Sequence, residues 1–179
     1  MAEDKTIGKT IADELRVLPH RDGPDRRAAI VAALQAETGI DEAMIERLVR
    51  AFYTAVRADP LIGPVFASRI TDWEPHLRRM IDFWSSVTLM TGRYHGQPMQ
   101  IHLPLPIAAD HFDRWLALFA RTASEICPPK AAAHFLERAQ RIAESLELGL
   151  AGQQGILLGK GERYRPAHDL THDLRKNHL

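Results

Sequence analysis

"RYHGQPMQIHLPLPI", residues Arg93–Ile107, is the stretch on which the reading of the chain turns. It holds two histidines, His95 and His102, with one glycine and three prolines, yet apolar residues run through it. Pro104 and Pro106 forbid a long helix, because each lacks an N–H and its ring collides with the preceding turn. His102 therefore rides at most a short helical piece, after which the chain turns. A short segment that holds one histidine rigidly is what a metal or cofactor ligand needs. A plain loop would read the same way, so the neighbouring segments decide.

Upstream lies "TDWEPHLRRMIDFWSSVTLM". Thr71 or Asp72 can cap a helix there, and Pro75 is tolerated in its first turn, where its missing N–H has no partner to lose. His76, Met80, Phe83 and Val87 share one face of that helix, with Leu77, Ile81 and Trp84 beside them. Downstream, "DHFDRWLALFARTASEI" puts Phe112, Trp115, Leu116, Phe119 and Ile126 on one side until Pro128-Pro129 break it. "KAAAHFLERAQRIAESLELGL" follows, with Phe135, Leu136, Ala139, Ile142, Ala143, Leu146 and Leu150 inward. Before all of these, "DEAMIERLVRAFYTAVRADP" repeats apolar residues at three- and four-residue spacing, from Met44 through Phe52 to Val56, with Tyr53 on the stripe's edge. Asp59-Pro60 ends it, and "LIGPVFASRI" reads as an irregular connector. No long strand-like alternation occurs, so the expected fold is all-α. Residues 1–38 read as an extension with a short helix, capped by Asp25 and closed by Gly39. Residues 39–151 form the core domain, and 152–179 a polar, loosely ordered tail.

Composition bounds the function. The chain has 179 residues, 45% hydrophobic and 26% charged, as expected of one globular domain with tails. Lys plus Arg equals Asp plus Glu at 23 each. That balance argues against nucleic acid as a partner, since displacing counterions needs a basic surplus. The single cysteine, Cys127, excludes an internal disulfide and a cysteine zinc cluster. The start, "MAEDKTIGKT", lacks the apolar core of a signal peptide, and "AAIVAAL" is too short to span a membrane. No membrane partner and a cytoplasmic location are the expectations. Nine histidines are the one compositional hint of chemistry. "HDLTHDL" places His168 and His172 one helical turn apart, a weak metal pair that reads better as an exposed polar turn. "GKGE" lacks the full phosphate-loop pattern.

Four stretches in order, "LVRAFYTAVRADPLIGPVF", "WEPHLRRMIDFWSSV", "YHGQPMQIHLPLPI" and "HFDRWLALF", resemble the truncated globins, specifically their third group. The resemblance covers about residues 40 to 150. No Gly-Gly pair occurs anywhere, which fits that group, since the others use paired-glycine turns. The resemblance implies a two-over-two helical sandwich around haem b, with His102 as the axial iron ligand. It implies Tyr53 as a distal hydrogen-bond donor, His76 at the distal gate and Trp115 lining the distal side. Phe66 would pack on the haem face, with Met80, Phe83, Met99, Ile107 and Phe112 as further pocket walls. Arg79 would reach a propionate, a task that Arg78, Arg93 and Tyr94 could share.

Elementary chemistry is consistent with those roles. Haem iron takes an imidazole as axial donor, and the Pro-Leu-Pro brake limits swinging of His102. Dioxygen held at a haem draws negative charge onto its outer atom, and a phenol O–H or an indole N–H aimed there stabilises it. The implied function is reversible binding of dioxygen, with carbon monoxide and nitric oxide as further ligands. One alternative is a haem enzyme acting on nitric oxide or peroxide with an external reductase. A second is an all-α interaction protein without haem, in which the aromatic faces are only core. A Soret band separates that last reading from the others.

Overall fold

A computed structural model describes residues 24–166 of the chain. The pair His168 and His172 lies outside them. Seven helices occur among the described residues: α1 Pro24–Thr38, α2 Glu42–Ala58, α3 Gly63–Ala67, α4 Trp73–Leu89, α5 Pro98–His102, α6 Ala109–Ile126 and α7 Pro129–Gln153. No strand is present among these residues.

Each long helix starts and stops for a local reason. In α2 the Asp41 carboxylate accepts the Met44 N–H at 2.7 Å, satisfying a donor that the first turn cannot. Met44, Ile45, Leu48, Val49, Phe52, Tyr53 and Val56 are all buried, as the periodicity predicts. Asp72, rather than Thr71, caps α4 by accepting the Glu74 N–H. Arg50 on α2 grips Glu74 with two nitrogens, at 2.9 and 3.0 Å, and fixes where α4 begins. Gly39 has φ +72°, the left-handed conformation that ends α1. Asp25 lies inside the first turn of α1 and not before it, a position where its charge still meets the positive helix end.

α2 packs on α4 and α6, α6 on α7, and α4 reaches α7, so two pairs of long helices lie one over the other. α1 rests on α4 and α7. The seam between the pairs is aromatic: Trp84 stacks on Phe119 at 4.7 Å, and Phe119 on Trp115 at 5.4 Å.

Two segments differ from the sequence expectation. The connector "LIGPVFASRI" contains α3. Asp59, whose side chain is only 1% exposed, accepts the N–H groups of Leu61 and Ile62, both at 3.0 Å, and Arg114 Nε from α6 at 2.6 Å. One carboxylate thus ends α2, starts α3 and holds α6. The tail is not loose up to residue 166. Tyr164 is buried, and Arg163 pairs with both Glu147 and Asp113.

Candidate functional site

The helix pairs and α5 enclose a cavity of about 490 Å³, within the usual range for cofactor sites. Tyr53 enters from α2, Phe66 from α3, and His76, Arg79, Met80 and Phe83 from α4. Tyr94, His102 and Ile107 enter from α5 and its flanking turns, Phe112 and Trp115 from α6. Eleven of the twelve residues singled out from the sequence therefore meet in one place. Met99 is the exception. It packs behind the wall, where a Cβ at Gly149 would lie 2.3 Å from its Sδ and Cε.

One side of the cavity is a cluster of rings. Tyr53 meets His76 edge-on at 5.0 Å, Phe66 at 5.8 Å and Phe52 at 5.1 Å. Trp73 stands against His76 at 5.8 Å and against Tyr53 at 6.2 Å, with the Arg57 guanidinium over its own face. Burial pushes the Tyr53 phenol well above its ordinary pKa, with the nearby Tyr94 adding to the shift. Tyr53 is therefore a protonated donor at neutral pH. Burial lowers the His76 pKa, and the Arg79 charge lowers it further, so that ring is neutral. Its Nε2 is buried without a hydrogen-bond partner among the described residues. A buried polar atom left unpaired in a cavity wall costs free energy unless a ligand or water meets it. His76 is packed against both the Tyr53 and Trp73 rings.

His102 stands apart from that cluster and makes no ring contact with it. Its Nδ1 donates to the Pro98 carbonyl at 2.7 Å. A carbonyl can only accept, so Nδ1 carries a proton, and in the neutral ring Nε2 keeps its lone pair. A backbone carbonyl bound to one ring nitrogen is the usual means of fixing the other as a metal ligand. Among the described residues there is no group of three or more His, Cys, Asp or Glu that could hold an ion by themselves. A lone imidazole suits a metal whose other ligands come from a prosthetic group. His95, the rival in the opening stretch, is exposed and does not line the cavity.

The cavity's charge is one-sided. Its charged lining is Arg69 and Arg79, beside the imidazoles of His76, His102 and His111, and no carboxylate lines it. An apolar group with anionic edges fits such a lining. Of the propionate candidates, Arg79 and Tyr94 are in place. Arg78 pairs with Glu74 on the surface, and Arg93 is held by Glu42, Asp82 and Ser85. Tyr94 is set by its own N–H on Ser86 Oγ and by Gly96, where a Cβ would fall 2.2 Å from the phenol oxygen. Arg69 and His111 were missed. Arg69 follows α3 and donates to the Pro104 carbonyl at 3.2 Å, bridging the two sides of the cavity. Nothing in the local pattern around Arg69 distinguishes it from other surface arginines. Also missed were Ile142, Ala143 and Leu146, read only as core, which close the cavity from α7.

The profile of the bacterial-like globin family matches residues 36–147. The chain belongs to the bacterial-like globins. It is 33% identical over 113 residues to the group 3 truncated haemoglobin of Campylobacter jejuni, covering 60% of this chain and 89% of that one. It is 31% identical over 80 residues to the group 2 truncated haemoglobin of Bacillus subtilis, covering 44% of this chain and 61% of that one. The crystal structure of a group III truncated haemoglobin from C. jejuni superposes with a TM-score of 0.57 at 34% identity, over 60% of this chain and 88% of that one. The globin is thus of the truncated type, and its likeness to the third group agrees with the four stretches that carried it in the sequence. The matched span ends at Glu147, so α1 up to Gln35 and everything after Glu147 lie outside it.

Proposed function

We propose that this globin holds haem b with His102 as its axial ligand and reversibly binds dioxygen, with carbon monoxide and nitric oxide as further ligands. The observation that carries the reading is the paired state of His102: Nδ1 tied to the Pro98 carbonyl, Nε2 left with its lone pair, in the wall of a cavity lined without carboxylates. Haem, held by His102, would supply an iron able to bind a diatomic molecule. The chain's own residues do the rest. Phe66, Met80, Phe83, Ile107 and Phe112 exclude water from the ring faces. Arg79, Tyr94 and Arg69 are the cationic or hydroxyl groups for the propionates. Tyr53 and the Trp115 indole are donors for a ligand that carries negative charge, and His76 supplies the unpaired nitrogen beside Tyr53.

A second reading, nitric oxide dioxygenation or peroxide chemistry, is favoured by the crowding of Tyr53, His76 and Trp115 around one cavity. Several donors on one ligand slow its release, which suits reaction better than delivery. Such turnover draws electrons from an external reductase. The test is the spectrum of the purified protein in ferric, ferrous and ferrous–carbon monoxide forms, followed by the oxygen release rate. A Soret band that is lost or altered in His102→Ala supports the assignment. A colourless protein that takes up no added haemin ends it, and slow oxygen release favours the enzymatic reading.

A further inference from the structure

The helix that carries His102 cannot hold itself in place. α5 has five residues, no side-chain N-cap and no buried residue. One turn of helix is unstable on its own, because nucleation costs more than a single hydrogen bond returns. Among the described helices α5 packs only against α7. What lies behind it therefore sets the direction of the imidazole.

Behind it is a small buried cluster distinct from the main core. Ile107, Phe112, Ala143, Leu146, Leu150 and Ala151 form it together with Tyr164, and Met99, Leu103 and Leu105 pack against it. Met99 and Leu103 flank His102 along the chain. Tyr164 comes from the segment after α7 and is 2% exposed. That segment is fastened from several sides. Tyr164 donates its N–H to Glu147 at 2.6 Å, and the Ala109 N–H donates to the Tyr164 carbonyl at 3.0 Å. Arg163 reaches Glu147 at 2.9 Å, Asp113 at 2.7 Å and the Ala109 carbonyl at 3.3 Å. Glu147 is itself buried, so its charge requires these partners. Ile156 and Leu158 complete the packing.

We propose that residues 154–166 are a strap that braces α5 from behind, with Arg163 and Tyr164 as positioning residues for the axial ligand His102. The strap acts on His102 through Met99, Leu103 and the Ile107–Phe112 wall, and touches neither the imidazole nor the cavity. It lies beyond the span that the family profile matches. The inference rests on the haem reading above.

The test uses the full chain loaded with haemin. Tyr164→Ala removes the ring, Arg163→Gln removes the fork and leaves the ring, and Arg163→Lys keeps one charge-assisted contact. Leu157→Ser is the control, since Leu157 is in the same segment and 93% exposed. Haem transfer to an excess of an acceptor apoglobin should be about ten- to hundredfold faster in Tyr164→Ala, the usual effect of losing groups that orient a metal ligand. Arg163→Gln should act in the same direction, Arg163→Lys should recover part of the loss, and Leu157→Ser should match wild type. The iron–imidazole stretching band of the ferrous protein should shift or broaden in step with transfer. If Tyr164→Ala does not accumulate as folded protein, the Arg163 pair carries the comparison. Lower apoprotein melting temperatures with unchanged transfer rates and an unchanged band would overturn the proposal, leaving the strap a stabiliser only. A wild type that takes up no haem would instead overturn the haem reading, and this inference with it.

Discussion

Tyr53→Phe removes one oxygen atom from the cavity and little else. The ring is 5% exposed and fixed by edge contacts to Phe52, Phe66 and His76, all of which a phenylalanine keeps. Burial raises the phenol's pKa, so wild type presents an O–H donor throughout the neutral range. A hydrogen bond to a partly charged acceptor contributes about 1.5–3 kcal/mol, roughly ten- to hundredfold in a rate. Oxygen release from Tyr53→Phe should accelerate by that factor, measured by stopped-flow after mixing the oxygenated protein with excess carbon monoxide. Carbon monoxide carries little charge when bound, so its own release, measured by replacement with nitric oxide, should change far less. Trp115→Phe should have a smaller effect on oxygen release. The double variant should fall short of the product of the singles, because two donors serving one oxygen atom are not independent. Equal acceleration for both gases would mean that Tyr53 acts by bulk, and the hydrogen-bond account of this cavity would be wrong.

His102→Ala should hold haem weakly, with partial return of the wild-type spectrum on adding imidazole, whereas His95→Ala should do neither; the reverse pattern would move the ligand to His95. His76→Ala should raise the carbon monoxide association rate more than it changes dissociation, if the ring closes the path beside Tyr53; an unchanged rate removes the gate. Its folded pKa is depressed below the ordinary histidine value, so the ring charges only as pH falls below about 6.5 and through the lower folded value. Repulsion from Arg79 should then drive it outward, and wild-type association should quicken at acid pH while His76→Ala stays flat. Asp59→Ala should cost about 2 kcal/mol in denaturant unfolding, because it strips the Leu61 and Ile62 N–H groups and Arg114 of their acceptor. Burial opposes the Asp59 charge, yet those donors outweigh it and hold its pKa below the usual carboxylate value. Its contribution is therefore complete above about pH 4 and lost as pH falls through the folded pKa.

The long helices and most of the cavity were legible because they are written in local signals. Apolar spacing placed α2, α4, α6 and α7, and two prolines confined His102 to one turn. The resemblance then gathered Tyr53, His76 and Trp115, which stand up to sixty-two positions apart, into one site. What escaped depends on contacts distant in sequence. Asp59 reads as a helix stop, but its partner Arg114 is fifty-five residues on, and together they make α3. Arg69 looks like any surface arginine until it meets Pro104. The segment around Arg163 and Tyr164 looks polar because its anchors, Glu147 and Asp113, sit on other helices. The resemblance puts Met99 in the cavity wall, and its contact with Gly149 and the cluster behind α5 shows that it turns the other way.

The two sides of the cavity are built unequally, and that has a consequence for what each can control. The donor side is carried by long helices, pinned by Arg50 on Glu74 and by interlocked rings from Phe52 to Trp73. Substitutions there leave the scaffold intact, so they should show in ligand rates while haem stays bound. The His102 side is one turn of helix resting on a small cluster. A change there alters the direction of an imidazole whose only described restraint at the ring is the Pro98 carbonyl. Its effect should reach haem retention before it reaches ligand choice. Discrimination between gases and tenure of haem should thus be set by different parts of the chain. A Tyr53 variant that sheds haem, or a Tyr164 variant that changes only the ratio of oxygen to carbon monoxide release, would contradict that division.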